Sequence, residues 1–424
     1  MLRGAHARTL ARLTPWRRTY WAVFAANLIA AVGMMSFMPF FPALLRDLGV
    51  EDAELRMLWA GVLTGAAPLA AALMGPLWGT LGDRLGRKPM LLRALCAIAV
   101  FVGAMSLARG PWELLFLRLG QGCFSGFVPP SVTLVSIGVP RESQGRVTGS
   151  IQAAMPIGTI LGPLVGARLQ TLLGFQELFW FVSAAAGTGA LLVAVFAHED
   201  PILTGSIERF SPTSVLVGTA RDLRRVFANP RIRGSMLALA TAQFAVGATS
   251  PQLQLFVEEL GVVDPERVVA LTGWLFTATA CAGVLATPLW GWLGDRVGHA
   301  GALVSATLAT ALALCGCSLV PGYAFLLAAR SALGFVSPGV GVTSFGLAAT
   351  ETEEAKRGSV FGAVFSARAL SLSLGAMAGG FLAREVGIRG LFLLSGAALG
   401  LVVLRVTSLG RRRSRLPSAA DSPR

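Results

Sequence analysis

The stretch RLGQG (118–122) sets an arginine inside an apolar run. A guanidinium at mid-bilayer depth costs about 2.5–3.5 kcal/mol on insertion scales, so Arg118 must turn inward and find a partner. Gln121 and Gly122 share its helical face at three and four residues, with Ser125 a turn later. Glu113, five residues back, lies roughly 140° round the helix and is badly placed to pair with it directly. Permanent bonding of Arg118 to backbone carbonyls is the plain structural alternative.

A second kind of chemistry is charge pairing at a helix end. PLWGTLGDRLGRK (76–88) groups Asp83 with Arg84, Arg87 and Lys88 among Gly79, Gly82 and Gly86. The glycines allow close backbone approach and a tight turn. Asp83 can cap the following helix or pair with Arg84 or Arg87. Such a cluster can hold two helix ends in one state and release them in another; ending the helices is its simpler role. PLWGWLGDRVG (288–298) repeats the pattern with Gly291, Asp295, Arg296 and Gly298, and has His299 in place of Arg87.

In GTILGPLVG (158–166), Gly158, Gly162 and Gly166 recur every fourth residue and drift only about 40° per step, a stripe on which another helix can lie. Pro163 removes a backbone bond and can kink the helix. The second half of the chain offers only LGAMAGG (374–380), without proline.

No Asp or Glu falls deep in an apolar run. The carboxylates left for proton work are Asp83 near one edge and Glu113 and Glu258 near the other. The deep charges are Arg118, Arg330 and Arg368, which would make a cavity electropositive and favour anionic or zwitterionic amphiphiles. Asn27, Gln152 and Gln243 are further polar candidates for a substrate cavity, beside Gln252, Gln254, Trp274 and Phe365. Each also has a packing role open to it. Cys96, Cys123, Cys281, Cys315 and Cys317 read as small packing residues, and His6, His198 and His299 are read as lying in loops or tails. Nothing resembles a metal cluster, a nucleotide loop or a nucleophile–base pair, so the expectation is a protein without cofactor that is not an enzyme.

The elements that must position these residues follow from composition. Of the 424 residues 54% are apolar and 14% charged. Apolar runs of about 20 residues span a bilayer core, and only closed backbone hydrogen bonding is tolerated there, so the spans are helices. Twelve are read: 19–45, 57–81, 89–108, 112–138, 147–170, 177–197, 232–258, 268–293, 300–320, 322–349, 358–384 and 387–409. The first is too long for a signal-peptide core and lacks a clear cleavage site.

Loop charge sets orientation. Arg3, Arg8, Arg12, Arg17 and Arg18 precede the first span, and RRRSR (411–415) follows the last. Asp47, Glu51, Asp52 and Glu54 lie on the opposite side, with Glu258, Glu259, Asp264 and Glu266. Both termini are therefore expected in the cytoplasm. The net charge of +14 expresses this bias, and its place at helix ends argues against a nucleic-acid partner.

Asp295 follows Asp83 by 212 residues, and Arg330 follows Arg118 by the same number. Two matches at one offset argue for duplicated six-helix halves, 19–197 and 232–409. A cytoplasmic linker (198–231) joins them, between an N-terminal segment (1–18) and a basic tail (410–424). Duplicated transporters bind substrate between such repeats near the bilayer midplane.

These motifs carry a resemblance. GTLGDRLGRK between spans two and three, RLGQG in span four and GTILGPLVG in span five resemble the loop, arginine and antiporter motifs of the major facilitator superfamily. MPFFPALLRDLGV (38–50) and GFVPP (126–130) resemble its twelve-span bacterial multidrug exporters. The resemblance implies an all-α membrane transporter of two pseudo-symmetric six-helix halves in the bacterial inner membrane. It implies Arg118 in proton movement and the Gly–Pro kink as a seal against leak. A deep span-one carboxylate common in those exporters is missing; Asn27 and Ser36 stand there instead. The reading is proton-coupled efflux of small amphiphilic compounds or drugs, with the proton gradient as energy source and a monomer sufficient. A nutrient symporter or facilitator, and a non-transporting sensor, are the alternatives.

Overall fold

The computed structural model describes residues 15–137, 139, 141–199, 229–352 and 357–413. Among them no strand occurs. The helices are α1 (Pro15–Phe37), α2 (Phe41–Asp47), α3 (Ala53–Leu85), α4 (Arg87–Met105), α5 (Pro111–Phe124), α6 (Val128–Ile137), α7 (Arg141–Leu173) and α8 (Phe175–Phe196). They continue as α9 (Pro230–Thr249), α10 (Leu253–Glu259), α11 (Pro265–Val297), α12 (His299–Ser318), α13 (Tyr323–Thr350) and α14 (Arg357–Arg413).

Among the described residues, nine segments are long and apolar enough to cross a membrane. One of them, Val360–Arg405, turns at Gly387 (φ 73°, ψ 167°) and is long enough for two crossings. The interrupted pairs α5–α6 and α9–α10 bring the total to the twelve expected. Proline makes the interruptions. Pro129 and Pro130 supply no N–H for the carbonyls of Ser125 and Gly126, so span four opens at Ser125–Phe127 rather than running unbroken. Pro251 sits in the 3-10 turn Ser250–Gln252 of span seven, and Pro39 in the turn Met38–Phe40 of span one.

The repeat is visible contact by contact. Trp78 Nε1 donates to the Cys123 carbonyl at 2.6 Å, and Trp290 Nε1 to the Phe335 carbonyl at 2.9 Å. A Cβ on Gly122 would overlap the Ala67 carbonyl, and one on Gly334 the Thr279 carbonyl. Each pair is its partner displaced by 212 residues. Position by position, the duplicated sequence preserves a duplicated packing scheme.

The chain divides into two compact units. Unit 1 takes the described residues within 1–212 together with Leu253–Thr277; unit 2 takes those within 213–252 and 278–424. Unit 1 buries an aromatic and aliphatic core around Phe37, Phe41, Phe179, Leu63 and Ile98. Most of the expected linker lies outside the described residues.

Candidate functional site

The first turn motif is built differently from the sequence expectation. α3 continues to Leu85, so Gly79, Gly82 and Asp83 are helical, and Gly86 alone makes the turn at φ 96°. Asp83 is therefore not at the capping position of α4, and the side chains of Asp83 and Arg84 lie outside the described residues. The cap comes from Glu199, beyond the end of α8. Its carboxylate accepts from the backbone N–H of Arg87 at 2.6 Å and of Lys88 at 2.8 Å. Lys88 returns the favour: Nζ donates to the Ala194 and Ala197 carbonyls at 2.9 and 2.7 Å, closing the C-terminus of α8. An anion on a helix N-terminus and a cation on a helix C-terminus both oppose the local dipole charge. Sequence reasoning missed Glu199, which lies 112 residues from Arg87; no local spacing marks it.

Among the described residues, no side chain caps the second turn in this way. Gly298 turns at φ 86°, and His299 opens α12 rather than lying in a loop. Its ring occupies the space beside Gly294 and Gly346, with Nε2 3.7 Å from Asp295 Oδ1. Arg296 instead lies over its own helix's Trp292 ring, 4.4 Å from the centroid. Gly291 is in helix α11.

Arg118 is fully buried on α5. Its Nε donates to the Leu63 carbonyl at 3.0 Å and Nη1 to Gln121 Oε1 at 2.6 Å, while Phe41 and Phe37 rings lie 5.3 and 5.8 Å from the guanidinium carbon. Gly122 lets α3 approach closely enough for the Leu63 bond. Glu113 is elsewhere: it accepts from the Arg109 backbone N–H at 2.7 Å and is exposed. Arg330 is 2% exposed, but position 333 is Leu where the first half has Gln121. Its Nε and Nη1 are buried without a hydrogen-bond partner.

The glycine stripe of α7 seats α1. A Cβ on Gly158, Gly162 or Gly166 would strike Ala31, Met35 or Ser36. Unit 2 repeats this with Gly375 and Gly379 against Phe244 and Ala248. Pro163 has no counterpart there. Beside it, the Ile160 carbonyl accepts the Thr277 hydroxyl at 2.8 Å, within unit 1.

Of the cavity candidates, Asn27 is 1% exposed and accepts the Ser131 hydroxyl at 2.8 Å, tying α1 to α6. Gln152 is exposed. Gln243 accepts from Arg368 Nε at 3.5 Å, and Arg368 is exposed. The three deep arginines thus separate: two are sealed in packing and one meets open space. Glu258 lies in the last turn of α10 and pairs with Arg56 on α3, Nη1 to Oε2 at 3.3 Å, with side chains 22% and 10% exposed. Neighbouring Gln254 accepts the Ala43 N–H at 3.2 Å and pins α10 to α2.

Twelve apolar crossings, a duplicated six-helix packing scheme and charged turns at corresponding places define a multi-pass membrane protein of the secondary-transporter class. The sequence profile of the Major Facilitator Superfamily matches residues 23–268 and 236–424. The chain belongs to that superfamily. It is 28% identical over 393 residues to the multidrug resistance protein MdtG of Proteus mirabilis, covering 92% of this chain and 94% of the relative. It is 29% identical over 296 residues to the multi-drug resistance efflux pump PmrA of Streptococcus pneumoniae, covering 69% and 70%. Among solved structures it is similar to a bacterial homologue of the human lysosomal transporter Spinster (TM-score 0.76, 15% identity, 96% and 99% covered). It is also similar to the human organic anion transporter MFSD10 (TM-score 0.67, 19% identity, 93% and 100% covered).

Proposed function

We propose that this chain is a proton-driven exporter of small amphiphilic compounds, alternating access between its two six-helix halves in a bacterial inner membrane with both termini cytoplasmic. The loop-charge bias supports the orientation, and the efflux names of the relatives support the direction. The observation that carries proton coupling is the Arg56–Glu258 pair. Its carboxylate is shielded, faces an arginine at 3.3 Å, and keeps Oε1 without a partner. A proton arriving from the outer side neutralises Glu258 and removes the attraction that holds α10 against α3. Charge is converted into release of a packed contact, which is the linkage an antiporter needs.

Arg368 supplies substrate preference. An exposed arginine about 16 Å along its helix would be costly against lipid, so it fronts a water-filled cavity. Together with Gln243 it suits an anionic or zwitterionic head. The test is flux in proteoliposomes under an imposed pH gradient, with one anionic and one cationic fluorescent amphiphile. Gradient-driven export favouring the anion is expected. Flux indifferent to the gradient would leave a facilitator, and export of the cation alone would overturn the role given to Arg368. A chain that moves neither compound would favour a sensor.

A further inference from the structure

We infer a binding site for an anionic phospholipid headgroup in the cavity enclosed by α3, α4 and the α5–α6 break. The inference rests on the orientation read above but not on proton coupling. The cavity has a volume of about 270 Å³ and is lined by Trp78, Arg87 and Arg93 over a floor that includes Gly75, Gly79 and Gly126. The glycines matter because a Cβ on any of these three would meet nothing within 4 Å, so the space is open where side chains would fill it.

The cation is held ready. The Arg93 guanidinium carbon lies 3.6 Å from the centre of the Trp78 ring, a face-on cation–π contact. Trp78 is itself fixed by its bond to the Cys123 carbonyl. Arg93 has a weak contact from Nη1 to the Met90 sulfur at 3.7 Å, while its Nε is buried without a hydrogen-bond partner. A planar guanidinium presented on a rigid ring with an unused N–H suits the oxygens of a phosphodiester.

Depth selects lipid over a soluble anion. Arg93 stands six residues into α4 and Trp78 seven from the end of α3, so both lie about 9–10 Å inside the turn at Gly86. That is where tryptophan marks the interface and where basic pockets between helices take lipid heads from the cytoplasmic leaflet. Two further cavities at this end of unit 1 repeat the chemistry: Arg17 and Arg146 line one with Trp16, and Arg18 another with Trp21.

The test is native mass spectrometry of the full-length protein in detergent, offered phosphatidylglycerol or phosphatidylcholine of equal chain length. Preferential retention of phosphatidylglycerol is expected. Arg93→Gln should weaken that preference about fivefold, the worth of one basic residue near a membrane surface. Arg267→Gln, which removes an exposed cation from the opposite end, should leave it intact. Gly75→Leu fills the cavity without altering charge or entering a tight contact, and should abolish the preference. Equal retention of both lipids, or a preference unchanged in Arg93→Gln and Gly75→Leu, would overturn the inference. Displacement of the lipid by inorganic phosphate would overturn it too, by revealing a soluble-anion site.

Discussion

Consider the removal of either partner of the Arg56–Glu258 pair. Taking one member from a fully buried ion pair costs about 3–5 kcal/mol, because a charge is left uncompensated. Here the side chains are 10% and 22% exposed, so water relieves part of that penalty and about 2 kcal/mol is the appropriate scale. A bias of that size shifts a two-state equilibrium roughly thirtyfold. The two substitutions are not equivalent. Glu258→Gln leaves Arg56 permanently charged and removes the only carboxylate of the pair. Arg56→Gln keeps the carboxylate and removes the cation that faces it.

The assay is efflux from proteoliposomes as a function of the pH on each side. Glu258→Gln should transport down a substrate gradient yet ignore the pH gradient. Arg56→Gln, which keeps the carboxylate, should remain gradient-driven. The double variant should recover stability relative to either single one, because no charge is left unpaired, and should behave as a facilitator. Gradient-driven export by Glu258→Gln at the rate of the unaltered protein would refute the reasoning outright.

Three further expectations follow from packing and charge. Glu199→Ala deletes an anionic cap holding two N–H groups and should cost about 1–2 kcal/mol, read as earlier thermal unfolding in detergent; an unchanged melting curve would refute the cap. Gly122→Ala and Gly334→Ala each place a methyl against a backbone carbonyl of the facing helix, and each should cost about 1–3 kcal/mol by the same measurement. If only one of them destabilises, the contacts are not equivalent across the repeat. Arg368→Gln should lower export of anionic amphiphiles while sparing cationic ones, which paired efflux assays resolve; equal loss of both would indicate a packing role.

The spans were legible because their signal is thermodynamic and local: apolar length against bilayer thickness. Their interruptions were harder to read, although Pro129, Pro130 and Pro251 stand in the sequence, because proline in a membrane helix can kink it or open it. The surroundings of Arg118 were half legible, since Gln121 lies on its own helix, whereas the Leu63 carbonyl lies 55 residues away on another. Glu199 was not legible at all. Its role depends on where α8 ends relative to α4, a tertiary fact that no spacing encodes. The three deep arginines separate for the same reason, Arg118 and Arg330 buried and Arg368 exposed: depth along a helix can be counted, but the direction a residue faces depends on its neighbours.

The repeat supplies a way to separate architecture from function in this chain. Contacts present in both halves, such as the Trp78 and Trp290 bonds and the close approaches at Gly122 and Gly334, must serve what the halves share, which is packing. The glycine stripe falls in that group as well, since Gly375 and Gly379 do in unit 2 what Gly158 and Gly162 do in unit 1. What remains unmatched is narrower. Pro163 has no counterpart, Glu199 and Lys88 fasten the first turn with no such cap at the second among the described residues, and Arg118 has an acceptor in Gln121 where position 333 is Leu. Leu333→Gln is the decisive substitution. Restoring the first half's acceptor should stabilise unit 2 by about 1 kcal/mol if Arg330 is a structural residue short of a partner. If export slows while stability rises, the unsatisfied guanidinium is part of the moving machinery, and the divergence between the halves was selected for it.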